Sequence, residues 1–175
     1  MRALRLILSR LVLSLTLALA PAAGQAQNGG QLVSPHTGLS GVYTAQTIIS
    51  DDFHHVLMGH VIVAARDGQT AIALVIQQRR DGVHYLHFDT ATAQSIELPF
   101  RRRRGNGCTH GHCRDRPIGL IVLSAPLLAR LSETGLDAVL SGRSGTIRLN
   151  VPAGLFADAL RQASGHGLLD IAPNG

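Results

Sequence analysis

The sequence predicts a mostly β fold, an antiparallel β-sandwich or partly closed barrel with two short helices in the C-terminal half. Three observations carry that expectation. Asp-Gly pairs interrupt long aliphatic runs in the first half of the chain, the strongest short-range hairpin signal a sequence offers. Apolar residues recur at helical spacing only beyond Ser124. With no tryptophan, two tyrosines and four phenylalanines, the core has to be built from Val, Ile, Leu and Ala, and the first two of these favour strands.

Residues 1–26 read as a signal peptide. Arg2, Arg5 and Arg10 precede an apolar run from Leu11 to Ala20, and Gly24 and Ala26 supply small residues for cleavage after Ala26. That run is about half of the roughly 20 residues a spanning helix needs, so no membrane span is expected. An exported, periplasmic protein follows. Residues 27–40 carry turn formers without an apolar period and are expected to be a flexible segment ahead of a single β-rich domain over 41–165.

Within that domain Val56 to Ala65 and Thr70 to Gln77 flank Asp67-Gly68, and Asp81-Gly82 leads to Val83 to Phe88, so three strands should form an antiparallel meander. A fourth strand is expected over Gln94 to Phe100. Pro117 to Leu123 is apolar but too short for its period to separate strand from helix. Ser124 has the character of an N-cap, with Pro126 in the first turn, Leu127, Leu128 and Leu131 as a buried stripe, and Gly135 just past the end. Leu136 to Leu140 and Thr146 to Val151 flank a Ser-Gly-Arg-Ser-Gly loop and read as a hairpin. Pro152 then opens a helix whose Leu155, Phe156, Ala159, Leu160 and Ala163 share a face, ending near Gly165. Residues 166–175 are expected to be a flexible tail.

Charge is concentrated in one place. The chain has 16 arginines, no lysine and 11 acids; three arginines leave with the signal peptide, so thirteen face eleven acids, about +2. Arg101, Arg102, Arg103, Arg104, Arg114 and Arg116 stand against Asp115 alone, a local +5, while the rest of the processed chain sums to −3. Guanidinium groups bind phosphate and carboxylate bidentately, so these six arginines are the candidate anion-binding residues. In an exported compartment the partner expected is an anionic envelope component or an acidic protein patch. No recognition pattern for nucleic acid accompanies the arginines, and too few aromatics are present to stack bases.

Embedded in the same stretch is GCTHGHC, residues 107–113, which holds both cysteines of the chain. An oxidising compartment favours a disulfide between Cys108 and Cys113, worth about 2 kcal/mol for so short a loop in the chain-entropy model. The alternative is a zinc or copper site, with Cys108, His110, His112 and Cys113 as donors and His54, Met58 and His60 as outlying ones. Met58 and His60 share a face if their segment is a strand. A redox centre fits least, because four residues separate the cysteines where the oxidoreductase pattern has two at a helix N-terminus. No nucleophile elbow, P-loop or dinucleotide fingerprint occurs, and a non-enzymatic protein is expected.

The stretch IELPFRRRRGNGC, followed by SAPLLARLSETGLDAVLSGRSGTIRLNVPAGLFADALRQA, residues 96–163, resembles the C-terminal half of the invasion-associated locus B family of exported bacterial proteins. The order of features is similar: a strand entering "LPF", a Gly-Cys pair, a leucine-rich helix ending at glycine, a hairpin and a closing helix. The resemblance implies a β-rich protein of the periplasm or envelope without known catalysis. In that family a cysteine commonly sits a few residues after "PF"; here arginines occupy those positions, and Cys113 would take its place as the partner of Cys108.

Overall fold

The computed structural model describes residues 29–51, 55–79, 86–102, 108–109, 112–113 and 116–169, with backbone alone for 51, 108–109, 112–113 and 116–117. The first described element is a hairpin, β1 (Gly30–Ser34) against β2 (Leu39–Tyr43), where the sequence led us to expect a flexible segment. Turn residues there make a turn at 35–38, and the flanking residues find partners because β2 also pairs with the long strand β4 (Val56–Arg66). Strand β3 (Thr47–Asp51) pairs with the first part of β4 as β2 does with the later part. The bend between β2 and β3 is pinned at Thr44, whose N–H donates to the Val61 carbonyl and whose Oγ1 accepts from the Val61 N–H, each at 2.9 Å.

From Leu57–Gln78 to Arg66–Gln69, β4 and β5 (Gln69–Gln78) pair without a break around the Asp67-Gly68 turn. Both turn residues have positive φ, 51° and 73°, the conformation a two-residue hairpin requires. The expected third strand of a meander is not beside β5. Its Asp81-Gly82 turn and residues 83–85 lie outside the described residues, and 86–89 form no strand. Instead β11 (Arg116–Leu123), the run whose period was ambiguous, pairs with β5 on one side and with β8 (Phe100–Arg102) on the other.

The resulting sheet runs β1-β2-β4-β5-β11-β8. A second sheet runs β13 (Gly145–Val151), β12 (Leu136–Gly142), β6 (Thr90–Ala93), β7 (Ile96–Leu98). The fourth expected strand is thus two strands: β6 was not anticipated, Gln94-Ser95 turn at φ of 48° and 65°, and β7 and β8 belong to different sheets on either side of Pro99. Proline lacks the N–H a continuing ladder needs, and the chain changes sheet there. A two-residue pair, β9 (Cys108–Thr109) and β10 (His112–Cys113), forms a separate hairpin between β8 and β11.

One main core lies between the sheets and under two helices. Leu57, Val61 and Val63 from β4, Ile72, Leu74 and Ile76 from β5, and Ile121 from β11 meet Ala138, Leu140, Ile147 and Leu149 of the second sheet. Helix α1 (Ala125–Thr134) inserts Leu128 and Leu131; helix α2 (Ala153–Gly165) inserts Leu155, Phe156, Ala159 and Ala163. Ser124 caps α1 as expected, its Oγ accepting from the Leu127 N–H at 3.3 Å, and Gly135 follows the helix with its N–H on the Leu131 carbonyl. α1 packs on α2, which lies over β4 and β2. The first residues of the expected tail are held: Gln31 bonds the His166 ring, and Thr70 donates to the Leu168 carbonyl at 3.2 Å. Where β8 crosses β11, the Phe100 ring lies against Gly119, where a Cβ would stand 2.5 Å from the ring. No helix among the described residues is long and apolar enough to cross a membrane.

Phe156 is fully buried between the helices and both sheets. Replacing it by alanine removes both transfer energy and packing, so Phe156→Ala is expected to lose about 3–5 kcal/mol in urea unfolding. Ser124→Ala, which removes one cap bond at an exposed helix start, is expected to lose about 1 kcal/mol.

Candidate functional site

Strand β8 puts the first arginines at the edge of the large sheet. Arg101 lies opposite Leu120 and Arg102 opposite Gly119, so the pleat sends them to opposite faces. Arg102 turns toward the second sheet and donates to Asp89 Oδ1 at 3.1 Å, immediately before β6. Both partners keep contact with water, so the pair is worth at most about 1 kcal/mol and acts more as a positional tie between the sheets. Arg101 is exposed on the other face. Arg101 and Arg102 therefore belong to a strand and not to a solvated loop, and one of the two is already engaged.

Arg103, Arg104, Arg114, His110 and His54 lie outside the described residues. Arg116 begins β11, paired with Gln78, with its side chain outside the description. The cysteine segment has a defined backbone register: Cys108 lies directly opposite Cys113, and Thr109 opposite His112, with two residues to connect them. Directly opposed residues in an antiparallel ladder have Cα atoms about 4.5–5.5 Å apart, inside the range of about 4.4–6.8 Å that a disulfide spans.

Of the candidate metal donors outside this hairpin, Met58 and His60 are described and His54 is not. Met58 and His60 do share a face, as the strand parity required: they pair with Gln77 and Val75, on the side of the sheet away from the main core. His60 is 7% exposed, and among the described residues its Nδ1 has no hydrogen-bond partner. Burial in that apolar setting lowers its pKa from 6.5 to about 4, because a charged ring there would lose its hydration. No group of three or more His, Cys, Asp or Glu side chains that could hold a metal ion occurs among the described residues.

Sequence reasoning missed two members of this region. The Asp89–Arg102 tie joins residues thirteen positions apart across a change of sheet, and no local pattern signals it. The burial of His60 did have a signal, since it sits within VLMGHVIVA, a run apolar on both strand faces.

No family model, no curated protein and no solved structure matches the chain.

The depressed pKa of His60 gives stability a definite pH dependence. Between pH 6.5 and 4 the unfolded chain takes up a proton at this ring that the folded chain does not. This contribution to stability is therefore complete above 6.5 and falls with pH, by up to about 1.4 kcal/mol per pH unit and roughly 3 kcal/mol across the window. In urea titrations at fixed pH, His60→Leu is expected to flatten that part of the curve.

Proposed function

We propose that the chain is an exported, non-enzymatic protein of the bacterial periplasm or cell envelope, of the invasion-associated locus B type. A disulfide between Cys108 and Cys113 closes a basic loop from Arg101 to Arg116, and this loop contacts an anionic envelope component or an acidic protein partner. The observation that carries the reading is the register that sets Cys108 directly opposite Cys113 in a hairpin following the arginine-bearing edge strand.

Physical reasons favour each part. Cysteines in an exported chain meet oxidants, and a pair already opposed in a ladder needs little backbone movement to bond. The closed loop loses unfolded-state freedom worth about 2 kcal/mol and holds its cationic flanks in one arrangement. Six arginines against one acid over residues 101–116, in a processed chain otherwise net negative, orient that edge toward polyanions. Arg101 stands exposed at the sheet edge, available to an anion, while Arg102 anchors the strand through Asp89.

Intact mass of protein recovered from the periplasm should match a chain starting at Gln27, two hydrogens lighter than its reduced form and free of metal. Free thiols with stoichiometric zinc or copper would replace this reading with the metal one. Each arginine near an anionic surface contributes about 1 kcal/mol. Replacing Arg101 through Arg104 by glutamine is therefore expected to weaken binding to phosphatidylglycerol vesicles at least tenfold, with neutral vesicles bound by neither form. Added salt should abolish the difference, since screening acts over about 8 Å at physiological ionic strength.

A further inference from the structure

Among the described residues the two sheets end at four strands, β1 and β8 of the large one, β13 and β7 of the small one. Three of these edges are guarded. β7 and β8 are three residues long, flank Pro99, and carry Glu97, Arg101 and Arg102; β13 carries Arg148 and approaches β3. Charge, proline and shortness are the devices that keep an edge strand from pairing with another chain. β1, GQLVS, has five uncharged residues in unbroken register with β2, and Pro35 lies past its end in the turn. Its side away from β2 is open. The Thr44 N–H bonds the Val61 carbonyl, so in the alternation of the ladder Val42 and Ser40 also direct their backbone groups to β4. Tyr43, Gly41 and Leu39 then direct theirs to Gly30, Leu32 and Ser34. Gln31 and Val33 keep N–H and C=O groups aimed away from β2, and no described residue bonds them. Val33 is 70% exposed in the full chain, as befits a residue with no strand beside it.

We infer that β1 pairs antiparallel with β1 of a second copy of the chain, about a two-fold axis at Leu32, joining two large sheets edge to edge. Parity selects this arrangement. With Gln31 of each copy opposite Val33 of the other, both residues form hydrogen-bonded pairs, and every outward group of one strand meets its complement on the other. No other register of the five strand residues pairs both. Leu32 meets its own copy in the intervening pair, about 4.5 Å apart between Cα atoms, on the outer face of the sheet away from the main core. Charge permits the approach. Neither β1 nor β2 holds a charged residue, and Arg66, beyond β2, is paired with Asp67. His166 bonds the Gln31 side chain on the face opposite Leu32, and antiparallel pairing sends the two His36 turns to opposite ends of the ladder. An extended segment of another protein would find the same backbone bonds, but the two-fold pattern of outward groups about an apolar centre suits the strand's own copy. About four hydrogen bonds and one leucine contact make a small interface, so a monomer–dimer equilibrium is expected.

The experiment takes the chain recovered from expressing cells and follows its mass by sedimentation equilibrium from about 10 µM to about 1 mM, the range suited to an interface of this size. Mass should rise from one chain toward two. Amide hydrogen exchange adds a reading at single residues: Gln31 and Val33 should exchange at least tenfold more slowly at the upper concentration, while Leu32, whose N–H points to β2, changes less. Val33→Pro removes an outward N–H and no bond to β2, and should remain monomeric at every concentration with unchanged far-ultraviolet circular dichroism. Val33→Lys keeps the N–H but puts a charge on the edge; it should weaken association at least tenfold, and retains the test should the proline disturb folding. Ile96→Lys, on the β7 edge, should dimerise as the native chain does. A monomer throughout, exchange at Gln31 and Val33 that ignores concentration, or a dimer that survives both Val33 variants in folded form overturns the inference. So does a dimer lost in Ile96→Lys, which would place the contact on the other sheet.

Discussion

The fold depends on the unbroken pairing of β4 with β5. Ten successive residue pairs around one tight turn place two aliphatic runs side by side, and every other element takes its position from them. β2 and β3 divide the free edge of β4 between them, β11 occupies the free edge of β5, and the helices lie over the face that carries Val61, Val63, Ile72 and Leu74. Such a hairpin needs little loop closure, whereas β11 returns from some forty residues away and pays more entropy to pair. Its aliphatic content makes that return favourable, since Ile121 and Leu123 bury on one face and Leu120 on the other.

That insertion also determines where the basic segment is displayed. Because β11 and not the following chain segment pairs with β5, β8 is left as the edge of the large sheet, and the arginines begin on a strand with one free side. Consecutive arginines on an edge strand also discourage pairing with another chain's strand, so the charge protects the ladder it sits on. Arg102 is drawn back to Asp89, while Arg101 stands exposed on the opposite face of the strand. Along the chain the Cys108–Cys113 hairpin connects two paired strands of one sheet, so closing it would constrain the basic flanks on either side.

His60 lies buried among the aliphatic side chains of the outer face of the large sheet. A neutral imidazole in an aliphatic face stabilises only while it stays unprotonated, and its unpartnered Nδ1 carries a desolvation cost of about 1–3 kcal/mol. An apolar margin around that face, with Ile48 and Val122 reaching solvent where a polar rim would be usual, extends the same character outward.

What the sequence by itself determined were features governed by neighbours along the chain: the Asp67-Gly68 hairpin, the capped helix from Ser124 to Gly135, the 136–151 hairpin, the stripe of the last helix, and the shared face of Met58 and His60. Each rests on local turn chemistry or on a period read within a few residues. Tertiary structure decided the rest. Pro117 to Leu123 had no decisive period and became a strand because the open edge of β5 offered it hydrogen bonds; residues 30–34 became a strand because β2 supplied a ladder. Gln94-Ser95 is a weak turn signal, so β6 stayed hidden until β12 supplied its partner. The arginines and cysteines were visible as a composition, but the placement of Arg101 and Arg102 on a sheet edge and of Cys108 and Cys113 in opposed register was not. Strand order and register arise from long-range burial and pairing, which no window of sequence contains.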